Sequence, residues 1–571
     1  MAQWLLLALL PWAAAAADLP GSASAGQIER RFERTPEARS SSRPFGIPST
    51  SVNAAPAGSE DIRFTLSRVD YDGATAFSSA DLAALHADLL GKEIALTQVY
   101  ALADAVTRLY TGAGYLLSRA VVPDQVIENG QVRLQVVEGY VDSVNFDGLE
   151  GIRPGIFEHH IGKYPEPKVY ELGIRPGLFE NYIARIKASR PLHRAVLERY
   201  LLLINDIPGM HFKAVLGPSD KGIGATILTL TATRERWSGA LSFDNRGAKT
   251  SGPWQGMIEL TGNNLLNLLD STTLRYATVP DDPQELHYWA VSHQQLLSHE
   301  GLRLNLEFNG AYSEPGSELF EQLEAKTSTL SSGFNLSYPF IRSRTRNLTI
   351  NAGAALKDSK VKLLGSTASD DDLSVLALGA SFDQADALAG GGVTLLSATL
   401  SQGLDVLGAD VTSRAKADPD FTVVSLYAWR SQSVTDRLRA ELRLEGQLTG
   451  QSLPSIEQAG LGGEFSVRGF EPSEWTGDRL FNASFELVYN PDVPLIPTAE
   501  LYGFYDYGKI WREDAQIGED SSDSADSAGL GTRLELTPGL GMNLEVARAL
   551  SDDSEGDSPG WELYVRFRGE F

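Results

Sequence analysis

Residues 302–309 read LRLNLEFN. Every second residue is apolar, and side chains two apart share one face of a β-strand. One face of this strand is hydrocarbon; the other is polar and charged. The pattern recurs. Leu438, Ala440, Leu442 and Leu444 alternate with Arg437, Arg439, Glu441, Arg443 and Glu445. Phe481, Ala483, Phe485, Leu487 and Tyr489 alternate with Asn482, Ser484 and Glu486. Trp561, Leu563, Val565, Phe567 and Phe571 alternate with Glu562, Tyr564, Arg566, Arg568 and Glu570. A soluble sandwich also alternates, but its apolar faces meet each other. Strands of ~10 residues with faces this charged point to a membrane barrel. No stretch reaches the ~18 consecutive apolar residues of a membrane helix, so a closed barrel is the only way for this chain to span a bilayer. The expected fold from residue 232 to 571 is an all-β transmembrane barrel of about 16 antiparallel strands.

The connections alternate in length. Short ones fall near 267–270, 298–301, 431–435, 491–497 and 538–539; long ones fall near 314–326, 405–417, 450–477, 511–528 and 551–559. The short set is expected on the periplasmic side. The longest loop contains GLGGEFSVRGF at residues 460–470, with Arg468 between glycines and phenylalanines. A phosphate cradle would need a helix directly after such a loop, and a strand follows instead. Parity offers the arginine a partner. Along 499–508, Ala499, Leu501, Gly503, Tyr505 and Tyr507 suit a lipid face, while Glu500, Tyr502, Phe504, Asp506 and Gly508 point into the lumen. If the loop folds inward, Arg468 meets Asp506. The acidic loop segments 514–526 and 552–557 read as solvated charge, or as sites where divalent cations bridge to lipopolysaccharide.

The net charge of −25 argues against nucleic-acid binding, which needs clustered lysine and arginine. Absence of cysteine removes thiolate metal sites, disulfides and a cysteine nucleophile. Residues 1–17 read as a secretory signal, with an apolar core at 5–10 and an alanine run before Asp18, although a basic n-region is missing. Residues 18–60 are poor in large apolar residues and form a Pro/Ser-rich linker, apart from a short charged helix expected over 27–35. There is no Gly-x-Ser-x-Gly elbow, and the eight histidines, His159 and His160 included, show no triad or metal spacing. Neither an enzyme, a cofactor nor a metal is expected.

Residues 61–139 read as β-α-α-β-β. A strand is expected over 62–69, a helix capped by Ser78 or Ser79 carries Leu82, Leu85 and Leu89, and a helix capped by Thr97 carries Leu102, Val106 and Leu109. Strands at 115–122 and 132–137 complete the unit. Residues 140–231 form a second such unit, with a strand at 141–146, an apolar helix in LERYLLLINDIPG at 197–209, and strands at 211–216 and 223–231. The second unit contains a duplication, GIRPGIFEHHI at 151–161 and GIRPGLFENYI at 173–183. Two copies are too few for a solenoid, so an enlarged loop or helix is expected.

The order of elements in both units, with Gly91-Lys92, Gly114-Tyr115, Pro123-Asp124-Gln125 and Val137-Glu138-Gly139, resembles periplasmic polypeptide-transport-associated (POTRA) domains. Val467-Arg468-Gly469-Phe470 resembles the loop-tip motif of the outer-membrane insertase superfamily, and Phe504-x-Asp506-x-Gly508 its partner on the barrel wall. The terminal aromatic Phe571 resembles the end of bacterial outer-membrane barrels. The whole layout resembles the two-partner secretion transporters of the haemolysin-activator type. That resemblance implies that the loop tucks into the barrel with Arg468 against Phe504 and Asp506, and that the helix at 27–35 plugs the lumen. It further implies an outer-membrane pore, with its POTRA domains in the periplasm, that exports one large unfolded exoprotein of adhesin or haemolysin class with an N-terminal secretion domain. The transporter is expected to be monomeric and to use no cofactor, the drive coming from cargo folding outside. Cargo is expected to add to a sheet edge at 115–122, by Tyr115 and Leu117, or at 211–218, by Phe212 and Val215. The alternatives are a barrel-assembly insertase of the same superfamily and a barrel-housed enzyme such as a lipase.

Overall fold

The computed structural model describes residues 21, 24–32, 36–40, 54–147, 178–493, 496, 498–515, 520–554, 556 and 560–571. The expected signal at 1–17, the end of the expected helix at 33–35 and the first copy of the duplication lie outside these residues. The chain divides into two compact units. A helix of seven residues, α1 (Ala25–Arg31), belongs to the barrel unit.

The other unit contains two small α+β domains. In the first, β1 (Arg63–Thr65), β2 (Arg68–Asp72), α2 (Ser79–Ala83), β3 (Glu93–Ala95), α3 (Leu96–Gly112), β4 (Arg119–Val121) and β5 (Gln131–Val137) follow in order. The sheet runs β2-β5-β4, with β2 parallel and β4 antiparallel to β5, while β1 pairs with β3. Leu82, Val99, Leu102, Val106 and Tyr110 pack on its apolar face. The run expected as one strand over 62–69 is broken because the backbone changes partners. Leu66 bonds to residues 91 and 92, and Ser67 turns to Gly130. Ser78 and Asp81 form a reciprocal cap on α2. Thr97 is not a cap: the cap position is Ala95, two residues earlier, and the Gln98 side chain accepts from the Ala95 N–H at 3.0 Å.

The expected strand at 115–122 shrinks to β4. The Tyr115 N–H is taken by the Tyr110 carbonyl at the end of α3, and Tyr115 packs on Phe77, Tyr110 and His193. Tyr115 and Leu117 therefore lie in a turn and present no strand edge. Glu138 follows β5 and closes the domain. It accepts from the Thr75 N–H at 2.7 Å, Thr75 Oγ1 at 2.5 Å, the Ala76 N–H at 2.9 Å and Tyr110 Oη at 2.7 Å. Burial works against its charge, but these donors outweigh burial and hold its pKa below the ordinary 4.5.

The second domain comprises β6 (Tyr140–Asp147), α4 (Leu178–Ala188), α5 (Arg194–Asn205), β7 (Met210–Pro218) and β8 (Ala225–Arg234), with sheet order β6-β8-β7. Asn205 ends α5 and accepts from the Phe212 N–H at 2.8 Å, which sets the entry into β7. β7 is an edge strand; Phe212 points into the core at 7% exposure and Val215 outward at 62%. The described part of the second repeat copy runs into α4, where Tyr182 and Ile186 are buried in the core. The described part of this copy, 178–183, is helical and contributes Tyr182 to the core.

The barrel closes with sixteen strands, all antiparallel. In order they are β9 (Trp237–Asp244), β10 (Gln255–Asn263), β11 (Asp270–Thr278), β12 (His287–Leu296), β13 (Arg303–Ser313), β14 (Lys326–Arg342), β15 (Arg346–Leu363), β16 (Ser366–Asp386), β17 (Gly392–Leu404), β18 (Thr422–Ser433) and β19 (Leu438–Leu448). Two short strands, β20 (Ala459–Leu461) and β21 (Trp475–Gly477), form a separate hairpin that is not part of the wall, and β22 (Arg479–Tyr489), β23 (Thr498–Trp511), β24 (Ser522–Thr537), β25 (Leu540–Ala549) and β26 (Trp561–Glu570) complete the barrel. The outward residues Leu306, Phe308, Phe481, Phe485, Leu501, Tyr505 and Leu563 are exposed, as a lipid-facing band requires. The inward residues Asn482, Ser484, Glu486 and Asp506 are buried. Strand lengths are uneven: β9 has 8 residues, whereas β14, β15 and β16 have 17, 18 and 21. The seam between β26 and β9 spans only Arg566↔Asp244 to Glu570↔Ala240, and the Phe571 ring covers Gly239.

Two tests follow from the smaller domains. Tyr182→Ala should destabilise the second domain by about 3 kcal/mol, read by urea denaturation, and deleting residues 173–191 should unfold it. Because the Glu138 pKa is depressed by folding, its stabilisation is full above pH 4.5 and fades as pH falls below that value. Hydrogen exchange at the Thr75 and Ala76 amides should accelerate over that window in the wild type, and should be fast and flat in Glu138→Gln.

Candidate functional site

The connection between β19 and β22 turns into the lumen. Its hairpin β20–β21 and its tip share a core with the barrel wall, formed by Ala459, Leu461, Val467, Phe470, Trp475, Leu480, Ile510, Ala525 and Ala549. Phe470 meets Trp475 edge-on with centroids 5.1 Å apart. Gly462 and Gly463 have φ of 113° and 93°, where a side chain would be strained, and they turn the chain into the tip.

Arg468 sits at that tip and is 4% exposed. Its Nε donates to Asp506 Oδ2 at 2.8 Å and its Nη2 to Asp506 Oδ1 at 2.7 Å, a bidentate pair. Its backbone N–H also donates to Asp506 Oδ2 at 3.2 Å. Nη1 reaches Glu486 Oε1 at 2.5 Å, and Nη2 reaches Ser484 Oγ at 3.0 Å. The Phe504 ring lies under the guanidinium, 3.5 Å from Cζ to centroid. The wall motif thus supplies a π face from Phe504, a carboxylate from Asp506 and space from Gly508. A Cβ on Gly508 would stand 2.1 Å from Leu461 Cδ1 and 3.1 Å from Val467 Cγ2. Gly469 allows the tip itself to approach: a Cβ there would meet the Ala549 backbone nitrogen at 2.7 Å.

The arginine belongs to an alternating chain of charges that crosses the lumen. On one side Glu486 also binds Arg533 at 2.9 Å, and Arg533 lies 3.7 Å from Glu500, which Arg439 holds at 2.7 Å. On the other side Arg468 is 3.5 Å from Glu545, which takes Arg246 at 2.9 Å and Tyr502 Oη at 2.8 Å. Arg246 approaches Glu464 of the inward loop at 3.9 Å; Glu464 takes both terminal nitrogens of Arg566 at 2.6 Å; Arg566 holds Asp244 at 3.0 Å. Asp244 is 3.6 Å from Arg31 of α1.

The helix α1 lies in the lumen beside this loop. Gln27 Nε2 and Arg30 Nη1 donate to the Gln458 carbonyl at 2.8 and 2.7 Å, and Ser473 Oγ meets Gln27 Oε1 at 3.2 Å. Ala25 and Ile28 pack with Ala277, Val279, Leu286, Tyr288 and Ala311, while Phe32 stacks on Tyr288 at 4.6 Å. The helix starts at Ala25, two residues before the expected start. Between it and the wall of β11 to β17 remains a cavity of about 780 Å³, lined by Thr273, Ser292, Asn305, Asn309, Asn335 and Asn351 among others.

The structure brings Arg468, Phe504, Asp506 and Gly508 together, with Val467 packed against the same wall; Phe470 turns away to Trp475. Tyr115, Leu117, Phe212 and Val215 belong to the other unit. The second carboxylate on Arg468 was visible in the alternation of 481–489, which put Glu486 on the polar face. Arg566 was likewise on the polar face of the terminal alternation, whereas Arg246, Glu464 and Glu545 carried no signal beyond their charge. The close approach at Gly469 has a direct test. Gly469→Ala should unseat the loop tip at a cost of about 1–3 kcal/mol, seen as new protease cleavage in residues 460–470 on an assembled barrel.

The family model described as "Haemolysin secretion/activation protein ShlB/FhaC/HecB" matches residues 224–534, and that described as "POTRA domain, ShlB-type" matches residues 64–139. The chain is similar to the heme/hemopexin transporter protein HuxB of Haemophilus influenzae (strain 86-028NP), 22% identical over 556 residues that span 93% of this chain and 92% of HuxB. It is similar to the outer membrane transporter CdiB of Escherichia coli O6:K15:H31 (strain 536 / UPEC), 26% identical over 496 residues that span 83% of this chain and 77% of CdiB. The solved structure of CdiB from Escherichia coli shares the fold, with a TM-score of 0.71 at 20% identity over 92% of this chain and 94% of that one. The chain belongs to the haemolysin secretion/activation (ShlB/FhaC/HecB) family, the outer-membrane pores of two-partner secretion that translocate exoproteins, with POTRA domains in the periplasm.

Proposed function

We propose that the inward loop is a latch across the export pore, and that Arg468 is its bolt. The observation that carries this reading is the fourfold satisfaction of one buried guanidinium by Asp506, Glu486, Ser484 and the Phe504 ring. None of these contacts suits bond-making chemistry; all suit the holding of a loop. In the resting state α1 occupies the lumen beside the latch and blocks the polar track along β11 to β17. Export then requires the helix to leave and the loop to shift, after which an extended chain passes along side chains that are polar and largely uncharged.

Recognition precedes passage. β7 is the favoured docking edge, because one side of it is unpaired among the described residues and Val215 stands exposed on it. A cargo segment would add there by backbone hydrogen bonds, with side chains read at every second position. β4, at three residues, offers less. The cargo is a large secreted exoprotein with an N-terminal secretion domain. The transporter works as a monomer, its acidic outer loops facing lipopolysaccharide through divalent cations. No step needs a catalytic group, a cofactor or a nucleotide, since folding of the cargo outside supplies the drive.

Arg468→Ala strands Asp506 in the wall, and breaking a buried pair in this way costs about 3–5 kcal/mol. Export of a co-expressed exoprotein into the medium should be lost while the barrel still assembles, and Asp506→Asn should reproduce the defect. Unchanged export by an assembled Arg468→Ala barrel would refute the latch.

A further inference from the structure

We propose that α1 is held on shared carboxylates, so that Lys357 and Arg566 of the wall and Glu29 of the helix set how readily it leaves; this rests on the plug reading above. Each arginine of the helix is the second partner of a carboxylate that the barrel already pairs. Arg30 Nη2 is 3.5 Å from Glu457 Oε2, while Lys357 Nζ on β15 holds Glu457 Oε1 at 2.6 Å. Arg31 Nη2 is 3.6 Å from Asp244 Oδ1, while Arg566 Nε on β26 holds Asp244 Oδ2 at 3.0 Å. In both cases the helix makes the longer contact and the barrel the shorter. Breaking a buried ion pair is costly chiefly because it strands the remaining charge. Here the helix departs, its arginines enter water, and neither carboxylate is left alone.

Glu29 adds a push. It is 6% exposed, and its Oε2 is buried with no hydrogen-bond partner among the described residues. A buried carboxylate oxygen without a donor opposes the bound state and regains water on release. The forces that hold the helix are therefore the bonds from Gln27 and Arg30 to Gln458 and the apolar contacts of Ala25, Ile28 and Phe32. The latch differs at Asp506: among the described residues Arg468 is its only cationic partner, Ser527 Oγ adding a bond at 3.4 Å, so withdrawal of Arg468 strands a charge. The contrast orders the two movements, helix first and loop second.

Openings of the full-length protein in planar bilayers test this. Deletion of residues 25–32 must raise conductance; if it does not, the plug reading itself falls. Given that rise, Lys357→Met, which leaves Glu457 dependent on Arg30, should make openings about tenfold rarer, and Arg30→Gln should make them about tenfold more frequent, the scale of one charge-assisted hydrogen bond. A purely structural lysine would loosen the wall when removed, so unchanged or more frequent openings in Lys357→Met overturn the proposal. Should that variant fail to assemble, Glu29→Gln on the helix decides alone: fewer openings support the proposal, and unchanged or more frequent openings refute it.

Discussion

A guanidinium cannot be taken out of water without donors satisfied and charge balanced, and Arg468 is taken out almost completely. That constraint organises the interior. It dictates a carboxylate on β23, a second on β22 and a third on β25, and each of the latter two needs its own further cation, Arg533 and Arg246. The glycines are part of the same solution. Gly508 makes room for the loop's apolar side chains, Gly469 lets its backbone touch β25, and Gly529 receives the Phe504 ring, to which a Cβ there would come within 2.4 Å. Affinity for the loop is thus distributed over four neighbouring strands, and the Arg468 guanidinium sits where each of its three nitrogens has an acceptor.

The lumen is divided by chemistry. Strands β22 to β26 and β9 carry the alternating charges and the inward loop; β11 to β17 line open space mainly with serine, threonine and asparagine, their charges there being Arg275, Glu307 and Lys357. Fixed ion pairs would snag a passing polypeptide, whereas neutral hydroxyl and amide groups exchange hydrogen bonds with it at little net cost. On the proposed reading, holding and passing fall to different walls, and α1 contacts both.

Much of this was legible before the structure. Alternation exposed the strands because a lipid face tolerates no charge, and it placed Asp506 and Glu486 inward by parity alone. Where a strand is polar on both faces, that signal is absent: the part of β15 with Lys357, Asp358, Ser359 and Lys360 has no apolar alternation although it pairs residue by residue with β14. Helix and strand limits in the first small domain failed for local reasons. Residues 115–118 have strand composition but are spent on closing α3, and Ala95 precedes a helix whose cap is supplied by Gln98. The charge chain through Glu545, Arg246, Glu464 and Arg566 joins residues separated by up to three hundred positions, and no spacing rule reports such a meeting.

The uneven strands give the pore a sloping rim. β15 has 18 residues, which at ~40° tilt reach about 45 Å in height, against an apolar band of about 25 Å. The excess lies at the end where β15 turns into β16, while β9, β10 and β11, with 8, 9 and 9 residues, stop low beside the seam. The outlet has the form of a spout. One flank of the outlet is the paired wall of β15 and β16; over the short strands stand the loops after β9, β11 and β13, joined by bonds from the Gly316 N–H to the Thr250 carbonyl and from the Glu314 N–H to the Gln284 carbonyl, so a chain leaving the pore would pass between a sheet and a layer of loops.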